Sequence, residues 1–189
     1  MPDWLEPMAA TLTQNRFAGG DWLFERKFDG IRLVAYKNGA DVRLLSRNRL
    51  AQHLPELAKA MANVPVDEVI LDGEVTWDSG NSYHVFDIMW LNGRAVTSLP
   101  LEDRRRLLQS LPLDVPMRRV DLFDDEKPWE RASREGWEGV IAKRRARRTN
   151  IAGRWTCITP TSASSISIRR KIDPEECARQ GLDRSEQQA

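Results

Sequence analysis

From residue 22 the side chains alternate. Trp22, Phe24 and Arg26 fall on one side and Leu23, Glu25 and Lys27 on the other, which is the period of a strand. Glu25 and Lys27 therefore share a face. Asp29-Gly30 interrupts the alternation, Ile31 to Lys37 resumes it, Asn38-Gly39 signals a tight turn, and Asp41 to Ser46 returns, so a hairpin is predicted. Leu54, Leu57, Ala58 and Met61 recur at helical spacing in the stretch after Leu50, with Pro55 tolerable only in the first turn. Glu68 to Val75 and Tyr83 to Trp90 predict two further strands, separated by a turn at Asp78-Ser79-Gly80-Asn81. Asn92-Gly93 marks another turn. Leu101, Arg104, Leu107 and Leu108, with charges between them, predict an amphipathic helix after Pro100. Met117 to Phe123 reads as a strand, Asp125 to Glu135 as a short helix with Pro128 in its first turn, and Trp137 to Lys143 as the closing strand.

Hairpin-like strand pairs with interspersed helices favour an α+β fold, antiparallel β-sheets flanked by helices, over an alternating βαβ order. Residues 1 to 20 carry Pro2, Pro7, Gly19 and Gly20 with little periodicity and read as a lead-in packed on the domain. After about Arg148 the character changes. Thr149 to Ser167 is crowded with serine and threonine, and Glu175 to Ala189 is polar and expected to fray. The expected organisation is one domain over residues 1–148, with 149–189 as its divergent remainder and a polar tail.

Composition changes this picture little. Hydrophobic residues make up 41% and charged residues 30% of 189, an ordinary globular balance that excludes a disordered or fibrous chain. The net charge of +1 conceals a cationic C-terminal region, Lys143 to Arg148 and Arg169-Arg170-Lys171, suited either to a polyanion or simply to water. Cys157 and Cys177 supply neither a disulfide framework nor a zinc set, which fits a reducing cytoplasm. The N-terminus lacks the basic start and apolar run of a signal peptide, and no stretch reaches membrane-spanning length, so a soluble protein without membrane contact is expected.

The densest chemistry lies in Glu25-Arg26-Lys27-Phe28-Asp29-Gly30-Ile31-Arg32. Lys27 is the candidate nucleophile, because an amine attacks phosphorus or carbonyl carbon once neighbouring cations or desolvation lower its pKa. Asp29-Gly30 lets the backbone approach a ligand, and Arg32 adds a planar charge suited to phosphate or ribose oxygens. His53 and His84 lack ligand-like spacing and read as structural, as do Asp29, Asp72 and Asp87, which are expected to partner turns and arginines. Cys157 lacks an evident base partner.

Lys27-x-Asp29-Gly30-x-Arg32 resembles the nucleotide-binding lysine motif of ATP-dependent DNA ligases and related covalent nucleotidyltransferases. Further motifs follow in the family's order: Ser46-Arg47-Asn48, Leu71-Asp72-Gly73-Glu74, Val85-Phe86-Asp87-Ile88 and Glu138-Gly139-Val140-Ile141-Ala142-Lys143. Arg16-Phe17 and Asp21-Trp22 add a likeness to the adenylation domain of bacterial end-joining ligases. The resemblance implies the ATP-grasp-like nucleotidyltransferase fold and a set of roles. Lys27 would attack the α-phosphorus of ATP and carry AMP as a phosphoramidate. Glu25 would accept from the adenine amine, Arg32 and Arg47 would contact ribose or phosphate, Glu74 would hold ribose hydroxyls, and Phe86 would stack on the base. Glu138 would help hold Mg²⁺, and Lys143 would neutralise phosphate. Implied partners are nicked or broken double-stranded DNA and end-joining repair proteins, with the chain acting as a monomer.

The family's fifth motif, an aromatic residue leading into two alternating lysines, meets Trp155-Thr156-Cys157-Ile158-Thr159, where Cys157 and Thr159 replace the lysines. Arg154, Arg169, Arg170 or Lys171 are the candidate substitutes. The family's OB barrel has no counterpart in the last thirty residues. A truncated or frame-disrupted ligase gene product is the favoured explanation, ahead of a natural minimal nucleotidyltransferase or an excised domain. Rival readings are an RNA ligase or capping-type nucleotidyltransferase, and a catalytically impaired nucleotide- or DNA-binding remnant.

Overall fold

The computed structural model describes residues 1–77, 81–146 and 155–159. Two sheets organise them. The larger has the order β4-β3-β5-β6-β7, with β8 also paired to β6, along a different stretch from β7. Its strands are β3 (Ile31–Asn38), β4 (Asp41–Ser46), β5 (Glu68–Thr76), β6 (Ser82–Leu91), β7 (Arg94–Ala95) and β8 (Met117–Arg119). The smaller has the order β1-β10-β9-β2, from β1 (Ala10–Thr13), β2 (Trp22–Arg26), β9 (Val140–Arg144) and β10 (Trp155–Ile158). Helices α1 (Pro55–Ala62), α2 (Leu101–Ser110) and α3 (Pro128–Arg134) pack on them.

The expected hairpin forms as read, and Gly39 takes the positive φ of 58° that its tight turn requires. α1 begins only at Pro55, because the fixed φ of proline suits a first turn and its missing N–H costs nothing there. Leu57, Ala60 and Met61 then bury against Leu33, Leu44 and Val69 in the main core.

Several expectations shift. The lead-in contains β1, and the Trp155 segment is strand β10, which is read only weakly from sequence because each is four residues long. The strand expected over Met117 to Phe123 is regular only to Arg119. Val120 then bonds to Val85, and Phe123 exchanges backbone hydrogen bonds with Phe24 of the other sheet, so this segment crosses between the two. Pairing is mostly antiparallel, but β1 runs parallel to β10 and β6 to β8. The Asp78–Asn81 turn, in its first three residues, and the cationic and Ser/Thr-rich segments beyond 146, apart from 155–159, lie outside the described residues, as do Arg154, Arg169, Arg170 and Lys171.

The smaller sheet has two distinct faces. Phe24, Val140, Ala142 and Ile158 pack with Ala132 of α3, while Leu23 and Trp155 face inward with Met8 and Leu101. By alternation Glu25, Lys143 and Cys157 share that inward face, and Lys27 continues it just past β2, its N–H donating to the Gly139 carbonyl at 3.0 Å. The nucleophile candidate is thus delivered to the junction between the sheets.

Candidate active site

Lys27 and Glu138 end adjacent strands and form a direct ion pair, with side chains 28% and 47% exposed. Behind them lies a buried charge cluster. Lys143 Nζ stands 2.6 Å from Glu25 Oε2, the two side chains being 1% and 2% exposed, and Arg105 Nη1 lies 3.6 Å from Glu25 Oε1. The Lys143 ammonium also sits 4.7 Å from the centre of the Phe86 ring and 4.8 Å from that of Trp155. Burial lowers the Lys143 pKa against the opposing pull of Glu25 and Asp87.

On the larger sheet, Arg32 makes a two-pronged bond to Asp72, 2.6 Å at each prong, and donates to the Met8 carbonyl at 3.1 Å. Its guanidinium lies 4.5 Å from the centre of the Phe86 ring. Burial opposes the charge on Arg32, but Asp72 outweighs it and the Arg32 pKa is raised. Burial pushes the Asp72 carboxyl up, with Arg32 opposing. Phe86 itself is buried, with both cations close to its ring. Asp87 is paired with the fully buried Arg104, Nε to Oδ1 at 2.8 Å and Nη2 to Oδ2 at 2.9 Å. Asp72 and Asp87 are therefore arginine partners, in keeping with their structural reading.

Glu74 accepts from the Gly30 N–H at 2.9 Å, fixing the loop that follows Lys27. Only glycine fits at position 30, because a Cβ there would lie 2.0 Å from the Val75 carbonyl oxygen. Burial raises the Glu74 carboxyl to about 7, against Arg32, Lys27 and the Gly30 bond. Between the ordinary 4.5 and about 7 the folded protein holds a proton that the unfolded chain has released. Stability should therefore fall as pH rises through that window, by on the order of 1–2 kcal/mol after solvent screening. Melting temperatures from pH 5 to 7.5 should show that decline in the parent and a flatter profile in Glu74→Gln. A parent no more pH-sensitive than the variant would refute it.

The structure gathers Glu25, Lys27, Arg32, Glu74, Phe86, Glu138 and Lys143 at the junction. Arg47 lies just past β4, one residue beyond the Ser46–Leu33 pair and so level with Arg32, but it is exposed and makes no ion pair or hydrogen bond among the described residues. Arg105 was not singled out from sequence, although it stands four residues after Leu101 and three before Leu108, on the face of α2 that is buried. Cys157 is buried on the inward face, its thiol pKa raised by burial while Lys27 opposes and Glu138 reinforces the rise. Among the described residues no group of three or more His, Cys, Asp or Glu forms a metal-ion cage.

Residues 7–82 match the family model of the ATP dependent DNA ligase domain. The multifunctional non-homologous end joining DNA repair protein LigD of Mycobacterium tuberculosis is 33% identical over 165 residues, covering 76% of this chain and 22% of that protein. The chain belongs to the ATP-dependent DNA ligase family. The LigD of Pseudomonas aeruginosa is 31% identical over 182 residues, 79% of this chain and 22% of that protein. A solved structure of mycobacterial DNA ligase D complexed with ATP and MES superposes with a TM-score of 0.67 at 28% identity, covering 82% of this chain and 60% of that one. This ligase-family chain thus has the fold of an adenylation domain and spans about a fifth of the LigD proteins it matches. Among its described residues no helix is long and apolar enough to cross a membrane.

Proposed function

We propose that this domain transfers AMP from ATP onto Lys27, as the first step of sealing broken DNA. The observation that carries this is the placement of Lys27 beside Glu138 at the ends of paired strands, with Glu74 and Arg32 of the larger sheet close by and the buried Phe86, Lys143 and Glu25 cluster behind. In the step, the Lys27 amine forms a bond to the α-phosphorus, the bond to pyrophosphate breaks, and the amine loses a proton to solvent or pyrophosphate. Arg32 is the cation proposed to meet ribose or phosphate oxygens, Lys143 is held at the base end against Glu25, and Glu74 and the base-facing Phe86 orient the nucleoside.

The residues fit a single Mg²⁺ held mainly by the substrate. Glu138 offers one half-exposed carboxylate, and magnesium commonly binds through one or two carboxylates plus phosphate oxygens. Such an ion would offset charge on the triphosphate. Acceptance of AMP by a DNA 5′-phosphate, in company with end-joining proteins, completes the proposed reaction.

Intact mass after incubation with ATP and Mg²⁺ tests the proposal. An added AMP on the parent chain supports it, and an unmodified chain that still binds ATP supports the alternative of a nucleotide-binding remnant. That alternative draws on Cys157, which puts a neutral thiol near Lys27 where the family resemblance implies a lysine. Cys157→Lys should accordingly speed adduct formation, by about ten- to a hundredfold if it recovers part of the stabilisation a charged group gives at comparable sites. An unchanged or slower rate in a folded variant would refute that expectation.

A further inference from the structure

We propose that Arg105 is a positioning residue for nucleobase selection, binding Glu25 and Phe86 into one rigid unit that reads a purine's six-position amine. This rests on the nucleotide-pocket reading above and extends it to a residue of α2. Arg105 is buried, and its guanidinium reaches three segments of chain at once. Nη1 donates to the Phe86 carbonyl at 3.1 Å and faces Glu25 Oε1, while Nη2 donates to the Val120 carbonyl. The residue placed to stack a base and the residue placed to read its edge are therefore held by the same planar group. A lysine, with a compact point charge on a flexible stem, would not reproduce those directed contacts.

The two oxygens of Glu25 are held differently. Oε2 lies 2.6 Å from the Lys143 ammonium, whereas Oε1, buried, is faced by the Arg105 guanidinium at 3.6 Å and accepts no hydrogen bond among the described residues. A buried acceptor with no hydrogen bond is costly, and a ligand N–H arriving there relieves that cost. A carboxylate only accepts, so it favours an exocyclic amine and repels a carbonyl at the same place. Sites built to hydrogen-bond a substrate group discriminate strongly against analogues lacking it. Arg105 contributes by keeping Oε1 at a fixed offset from the Phe86 backbone, so the amine of a stacked base meets the oxygen and other groups do not.

Equilibrium binding by calorimetry, with Lys27→Ala to prevent turnover, gives a direct test using ATP, GTP and purine riboside triphosphate, which lacks the amine. The Lys27→Ala chain should prefer ATP to purine riboside triphosphate. Adding Arg105→Lys should reduce that preference about tenfold or more, with Glu25→Gln giving a similar loss. Because Arg105 acts through Glu25, the two changes together should lose no more than either alone. An equal weakening for all three nucleotides, or additive effects in the double variant, overturns the proposal by reducing Arg105 to general support. Should Arg105→Lys not fold, Arg105→Gln takes its place, and failure of both to fold overturns it as well. Absence of binding by the Arg105-intact chain to any of the three nucleotides would instead remove the pocket reading on which the proposal stands.

Discussion

Lys27→Ala is expected to abolish the covalent AMP adduct completely while leaving the protein folded. The side chain is partly exposed, and its contact is an ion pair with the still more exposed Glu138. Exposed pairs of this kind contribute about 0–1 kcal/mol, so the melting temperature should move by only a few degrees. Adduct formation, by contrast, requires an amine at this place, and none of the neighbouring cations can take over. Lys143 is buried against Glu25 and two aromatic rings, and arginine is not a nucleophile at neutral pH. Lys27→Arg separates charge from nucleophilicity: it should preserve the ion pair and still show no adduct. Intact mass and a thermal melt on both variants decide the matter. A persistent adduct in the folded alanine variant would assign the nucleophile elsewhere.

Arg104→Ala should have the largest effect on stability, about 3–5 kcal/mol, because it removes one partner of a buried ion pair. Among the described residues Asp87 would keep the Ile88 N–H at 2.9 Å as the hydrogen-bond donor to its buried carboxylate, and the lost guanidinium would leave a void. For a chain of this size that corresponds to a fall in melting temperature on the order of 10 °C. Replacing both partners, as Arg104→Met with Asp87→Leu, should recover most of the loss, since an apolar pair leaves no stranded charge. Chemical denaturation of the three proteins would test this. A single variant within about 1 kcal/mol of the parent would show that the pair is not the constraint its burial suggests. The same pair sits one residue from Phe86, so the stability of β6 and the placement of the base-facing ring are coupled.

Much of this was legible in the chain itself. The turn at Asn38-Gly39, the strand of Glu25 and Lys27, and the helix begun by Pro55 are local features, written in residues that neighbour one another. The ordered motifs led to the correct fold and to residues that the structure brings together, with Arg47 level with Arg32 but exposed and uncontacted among the described residues. What escaped was non-local. β1 and β10 are too short to show a period, and β1 is defined by a partner more than 140 positions away. Arg105 escaped for a different reason: an arginine on an amphipathic helix ordinarily points to water, and its burial is accounted for by Glu25 and the Phe86 and Val120 carbonyls, which the fold brings to it.

The two sheets also differ in how their strands are spaced along the chain, and that difference has a kinetic meaning. The larger sheet is built wholly within residues 31–119, much of it from adjacent hairpins, whereas the smaller one joins segments drawn from both halves of the chain. Contacts between near neighbours close cheaply and early, and distant ones late. A chain emerging from the ribosome can therefore assemble the strands carrying Arg32, Glu74 and Phe86 before β9 exists to pair with β2. Lys27 gains its Glu138 and Gly139 neighbours only in the final closure, so a half-made molecule presents part of a nucleotide pocket without an aligned amine to attack what enters it.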